Sequence, residues 1–198
     1  MKSRWITLVL CLLVAAILFV RLRPPGGSRA RYSASRDQAS SGNVFLGLRS
    51  LVLQGTRANF GLSPGSRPTQ PFAVVADWGL PDGTTTVVAI ADGSASVYRS
   101  NGAGSIGGGQ SHESIRAAAL ETVKLAEDVQ PLMHSTKEYP LAQRGQVNFY
   151  VVTDNGVFAA TASADDLASR HSAFSKLGDS AQGIITAYRE VEKAGSNP

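Results

Sequence analysis

Apolar and polar positions divide the chain into one continuous apolar run near its start and a longer part in which they alternate with helical or strand periods. Ile6 to Val20 carries no charge across 15 residues; Lys2, Arg4 and Trp5 precede it, and Arg21-Leu22-Arg23-Pro24-Pro25 follows. Such a run falls short of a hydrocarbon layer roughly 30 Å thick, but Trp5, Leu22 and a snorkelling Arg21 make up part of the difference. No small-residue cleavage site follows at the spacing of a secretory leader. The pattern predicts a basic N-terminus over 1–4, an uncleaved transmembrane signal-anchor helix over 5–22 with Lys2, Arg4, Trp5, Arg21 and Arg23 as its membrane flank, and a flexible basic tether over 23–42.

Beyond the tether the period changes. Asn43 is placed to cap a helix from Val44 to about Arg57, with Phe45, Leu48, Val52 and Leu51 on one face. Gly61, Pro64, Gly65, Pro68 and Pro71 then break the chain repeatedly. Strands are predicted at Phe72 to Trp78, Thr84 to Ala91 and Ser94 to Arg99, joined by Pro81-Asp82-Gly83 and Asp92-Gly93. A two-residue loop at Asp92-Gly93 sets Ile90 opposite Ala95 and places Val88 and Val97 on one face. A glycine-rich crossover from Asn101 to Gln110 leads to a helix capped by Ser111, with Ile115, Ala118, Ala119, Thr122, Ala126 and Val129 inward. Val147 to Val152 and Val157 to Ser163 form a hairpin about Asn155-Gly156, and Asp179 with Gln182 makes a capping box for a last helix ending at Gly195.

This order, α, three strands, α, two strands, α, predicts a single α+β domain over 43–195 with a disordered tail at 196–198. Its mostly antiparallel, about five-stranded sheet has apolar residues on both faces and needs helices or a second copy to cover them. By topology alone the arrangement resembles the profilin-like and roadblock or longin types of α+β domain. That resemblance brings no residue motif; it implies a platform for other proteins more than an enzyme.

Charge adds the side of the membrane. The formal charge of +4 resides mostly in Arg21, Arg23, Arg29, Arg31 and Arg36 rather than across the domain, which argues against nucleic-acid binding and for a bilayer partner through 5–22. Five arginines after the apolar run against Lys2 and Arg4 before it favour a cytoplasmic over an extracytoplasmic position for the domain. The one cysteine, Cys11, lies in the apolar run, so the domain depends on its core and not on an intrachain disulfide.

Candidate chemistry is sparse. Gly102, Gly104, Gly107, Gly108 and Gly109 precede a helix start at Ser111 and His112, where free amides favour an anion, yet the loop lacks the lysine of a phosphate-binding loop and follows a hairpin. Asp77-Trp78 reads either as part of a pocket or as a strand-end carboxylate beside a core or dimer-interface tryptophan. His112, His134 and His171 are dispersed, no serine stands in a nucleophile elbow, and neither a metal nor a cofactor is predicted. The expectation is a single-pass cell-membrane protein acting as an accessory or protein-binding module, its partner an unidentified protein or a second copy. A small-ligand or anion sensor using loop 102–109 comes second, and an enzyme of unidentified chemistry third.

Overall fold

Ala73 to Ile90 is rich in valine, threonine and alanine and is interrupted only at Pro81-Asp82, so it folds as a hairpin of β1 (Ala73–Leu80) and β2 (Gly83–Ile90). The computed structural model describes residues 44–195, all within one compact unit. To the hairpin it adds β3 (Ala95–Arg99), β4 (Gly104–Ile106), β5 (His134–Thr136), β6 (Gln146–Thr153) and β7 (Gly156–Ser163). Together they make an open seven-stranded antiparallel sheet in the order β4-β3-β2-β1-β6-β7-β5. Helix α1 spans 44–53, α2 is Glu113–Val129, α3 is Ala164–Ala168 and α4 is Ser175–Gly195.

The helices divide between the two faces of the sheet. Val74, Ala76 and Trp78 of β1 point with Val147, Phe149 and Val151 of β6 toward α2 and α4, whose Ala119, Ala126, Ala181 and Ile184 are fully buried against them. On the other face Val75, Val88, Tyr98, Tyr150 and Val152 meet Phe45, Val52 and Leu53 of α1. Alternation along each strand supplies both sets, and cover on both faces explains why β1 is buried from Ala73 to Gly79.

Several expectations are corrected. The sheet has seven strands where about five were expected, because β4 and β5 are three residues each, too short to carry an alternation. The β2–β3 register is shifted by one residue: Val87 faces Val97 and Ala89 faces Ala95. The loop has three residues, Ala91-Asp92-Gly93, with Gly93 at φ +86° and its N–H bonded to the Ile90 carbonyl. Val88 and Val97 therefore lie on opposite faces. The glycine-rich crossover is not irregular throughout: it holds β4 and a 3-10 turn at Gly108–Gln110. The last helix begins at Ser175, ahead of the expected capping box at Asp179 and Gln182.

The membrane reading is also corrected. Among the described residues no helix is long and apolar enough to cross a membrane. Even the 21-residue α4 carries Lys176, Asp179, Arg189, Glu190 and Glu192 on its exposed side. The predicted span 5–22, its flank Lys2, Arg4, Trp5, Arg21 and Arg23, the tether 23–42 and the tail 196–198 lie outside the described residues. The described residues thus form an α+β domain without a membrane-spanning helix, and the expected membrane-anchored, single-pass protein with a bilayer partner and a cytoplasmic domain is not supported by them.

Candidate functional site

Asp77 and Trp78, adjacent in β1, point to opposite faces and belong to two different sites. Asp77 is completely buried under α1. Its Oδ2 accepts from Arg49 Nε at 2.8 Å, with Arg49 Nη2 at 2.6 Å, and its Oδ1 accepts from Thr86 Oγ1 at 2.6 Å. Arg49 also donates from Nη1 to the Tyr139 carbonyl at 2.8 Å and from Nη2 to the Pro140 carbonyl at 3.3 Å, and its guanidinium lies 5.0 Å from the centre of the Tyr150 ring. The Pro140 carbonyl is shared, accepting from Tyr150 Oη at 2.5 Å and from Asn148 Nδ2 at 3.1 Å.

Burial raises the Asp77 carboxyl above its ordinary value, against the opposing pull of Arg49 and Thr86. Burial, followed by the charge of Asp77, likewise raises the Tyr98 phenol, whose buried hydroxyl has no hydrogen-bond partner among the described residues. The arrangement fastens α1 to the sheet and leaves Asp77 no open side for a substrate. Its side-chain hydrogen-bond partners among the described residues are an arginine and a threonine, not the histidine that a catalytic pair would require.

The glycine-rich loop is held by its own hydrogen bonds. Gly108 N–H donates to Tyr188 Oη at 2.8 Å, and that hydroxyl donates to the Ala95 carbonyl at 2.7 Å. Gly107 N–H donates to the same carbonyl at 2.9 Å, and the amides of Gln110, Ser111 and His112 donate back into the turn at Gly107 and Gly108. Gly102 N–H donates to the Arg99 carbonyl, and Gly104 lies in β4. A Cβ on Gly109 would fall 1.9 Å from the Gly93 carbonyl oxygen, and one on Gly108 would fall 2.5 Å from the Tyr188 ring. The glycines allow close approach of chain to chain, and the amides an anion would use are largely engaged. We predict that Tyr188→Phe, which removes the hydroxyl bridging Gly108 and Ala95, destabilises the domain by about 2 kcal/mol. A urea-unfolding midpoint unchanged from the parent contradicts this role.

Ser111 and His112 are exposed, and the His112 side chain makes no capping bond to α2. His134 on β5 and His171 after α3 are exposed on separate elements; His171 Nδ1 lies 3.1 Å from Ser169 Oγ. Among the described residues no three His, Cys, Asp or Glu side chains converge on a metal position.

Trp78 leads to a different place. On the α2/α4 face, where α4 leaves the β1–β4 end of the sheet, a groove of about 440 Å³ opens. The cross-strand row Trp78, Thr85, Arg99 forms its floor with Val97 and Ser105, and α4 forms its wall with Gln182, Ile185, Arg189 and Glu192. Arg99 is paired with Asp82 at 2.9 Å, and Glu192 accepts weakly from Ser105 Oγ at 3.4 Å. Of the candidate residues, the groove gathers Trp78 and Gly104; Asp77, Gly102, Gly107, Gly108, Gly109, Ser111 and His112 are not in its lining.

Sequence reasoning missed Arg49, Tyr98, Tyr150 and the α4 wall. Arg49 carried a signal: it sits between Phe45 and Val52 on the apolar stripe of α1, where an unpaired charge is not tolerated and a buried carboxylate is therefore implied. Arg189 carried none, since its neighbours in the groove come from distant strands. Comparison with family models, with curated proteins and with solved structures gives no match for this chain, so the expected profilin-like, roadblock or longin likeness is not carried further.

Proposed function

We propose that the domain is a protein-binding module and that the groove between α4 and the β1–β4 end of the sheet seats its partner. The observation that carries this reading is the groove itself, an open concavity that joins Trp78, Leu80, Val97 and Ile185 with two arginines. Partner-binding surfaces place aromatic and aliphatic anchors at their centre and favour Arg among charged residues, and the groove has that composition. The opposite face has a second concavity of about 340 Å³ beside Leu53, Phe72, Tyr139 and Val152, but Asp77 is not in its lining.

The test is photo-crosslinking in cells of the native host. Ile185→p-benzoylphenylalanine should yield discrete adducts with another protein on irradiation. The same group at Lys124, exposed on α2, should not. Equal adduct patterns at the two positions, or none at Ile185, defeat the proposal.

A further inference from the structure

We infer that the outward face of α1 is a second interaction surface and that its occupant is a second copy of this chain, held by an antiparallel two-fold contact of α1 with α1. This surface lies on the opposite side of the sheet from α4 and its groove, and the inference does not depend on what that groove binds.

Helix α1 carries one charged residue, and that residue, Arg49, is buried in its pair with Asp77. Its exposed side is therefore free of charge. That side is also apolar: Val44 is 56% exposed, Leu51 is 68% exposed, and Leu48 is partly exposed between them. With Gly47 they stand at i, i+3, i+4 and i+7, a single stripe offset by one residue from the buried stripe of Phe45, Arg49 and Val52. The longer helices differ, α2 exposing Glu121, Lys124 and Asp128 and α4 exposing Lys176, Asp179 and Glu190. One apolar stripe is enough to dock a helix on its sheet, and a second, uncharged one marks contact with another molecule.

Gly47 indicates which molecule. A glycine inside a helix costs about 1 kcal/mol relative to alanine. Nothing within the described residues requires one here, since the residue is helical and an added Cβ would meet no atom within 4 Å. The missing side chain leaves a hollow in the stripe, and Leu48 beside it is a projection. A two-fold contact pairs residue i with residue j of the copy and j with i. With the axis between residues 47 and 48, each Leu48 enters the hollow over the copy's Gly47, and each Val44 meets the copy's Leu51. The stripe thus complements itself in size, and no like charges oppose one another in it. Gly183 of α4 is equally open, but Asp179 and Glu190 share its side of the helix, so an open glycine alone makes no such surface. One short helix from each copy buries little area, which makes the association weak and concentration-dependent.

Sedimentation equilibrium of the full chain over a range of concentrations is the test. The parent should pass from monomer to dimer as its concentration rises. Gly47→Leu fills the hollow and should weaken association at least about tenfold. It should also raise the urea-unfolding midpoint, because leucine is the better helix former, whereas a loss of association through misfolding would lower it. Val44→Lys and Leu51→Glu, both at exposed positions, should each weaken the dimer. Mixing these two variants should restore it: the new ammonium meets the new carboxylate across the axis, while the Leu51 and Val44 left unchanged keep their contact. A parent that stays monomeric at every concentration assigns the face to a different occupant and overturns the inference. A dimer untouched by Gly47→Leu or Leu51→Glu lies elsewhere on the chain and overturns it too, as does a mixture that associates no better than either variant alone.

Discussion

Arg49→Ala should destabilise the domain by about 3–5 kcal/mol, the range found when one member of a buried ion pair is removed. The size follows from what the substitution strands. Asp77 has no exposure to solvent, so without Arg49 its carboxylate keeps one hydrogen-bond donor, Thr86, and no counter-charge. The Tyr139 carbonyl loses its donor from Arg49, whereas the Pro140 carbonyl retains Tyr150 and Asn148. Helix α1 loses its polar attachment to the sheet and keeps only Phe45, Val52 and Leu53 as buried anchors.

Arg49→Lys should recover part of the loss, because an ammonium restores the charge but not the planar fork that reaches Asp77 and two carbonyls together. Urea unfolding measures all three proteins, and a midpoint for Arg49→Ala equivalent to less than about 1 kcal/mol of destabilisation would show that α1 does not depend on the pair. Limited proteolysis adds a local readout. Cleavage near Gln54 to Thr56 should accelerate in Arg49→Ala, since α1 opens there while Arg57 remains fixed to Asp154 at 2.6 Å and to the Gln70 carbonyl at 2.7 Å.

How far the sequence discloses this architecture depends on the length over which each signal acts. The long elements are legible because their periods persist: α2 buries Ile115, Ala119, Thr122 and Ala126, which the helical spacing selects, and β6 and β7 pair as the two apolar runs flanking Asp154 to Gly156 require. The β6–β7 loop itself is Asp154-Asn155, one position earlier than Asn155-Gly156, with Gly156 at φ +108° as the first residue of β7.

Shorter signals mislead. Asp92-Gly93 has the residue types of a two-residue loop, yet Ala91 joins the loop and the register slips by one, which turns every β3 side chain to the other face. Asp92 instead accepts from Ser94 N–H at 2.8 Å, a local bond that stabilises the wider turn. β4 and β5 are added by tertiary pairing and have no pattern of their own. The groove is least legible of all, since Trp78, Arg99 and Arg189 meet only after the sheet and α4 have packed.

The glycine-rich loop separates a packing role from a ligand role through one comparison. Gly109→Ala should destabilise the domain by about 3 kcal/mol, at the upper end of ordinary overpacking, and Gly107→Ala by only about 1 kcal/mol. At Gly109 the new Cβ would lie 1.9 Å from the Gly93 carbonyl oxygen and 3.3 Å from Ser94 Cα. Both obstacles are main chain, fixed by the β2–β3 turn through the bonds of Gly93 and Ser94 with Ile90, so no rotamer change relieves the contact. Relief requires the start of α2 to move away from the sheet, which loosens Ile115 and Ala119 from their fully buried positions. At Gly107 the added Cβ meets nothing within 4 Å, and the penalty is confined to holding a non-glycine residue at φ +74°. Chemical unfolding of the two variants, with near-ultraviolet circular dichroism to follow side-chain packing, gives the comparison. Gly109→Ala as stable as Gly107→Ala would mean that the close approach of Gly109 to Gly93 does not hold α2 in place, and the packing account of this loop would fail.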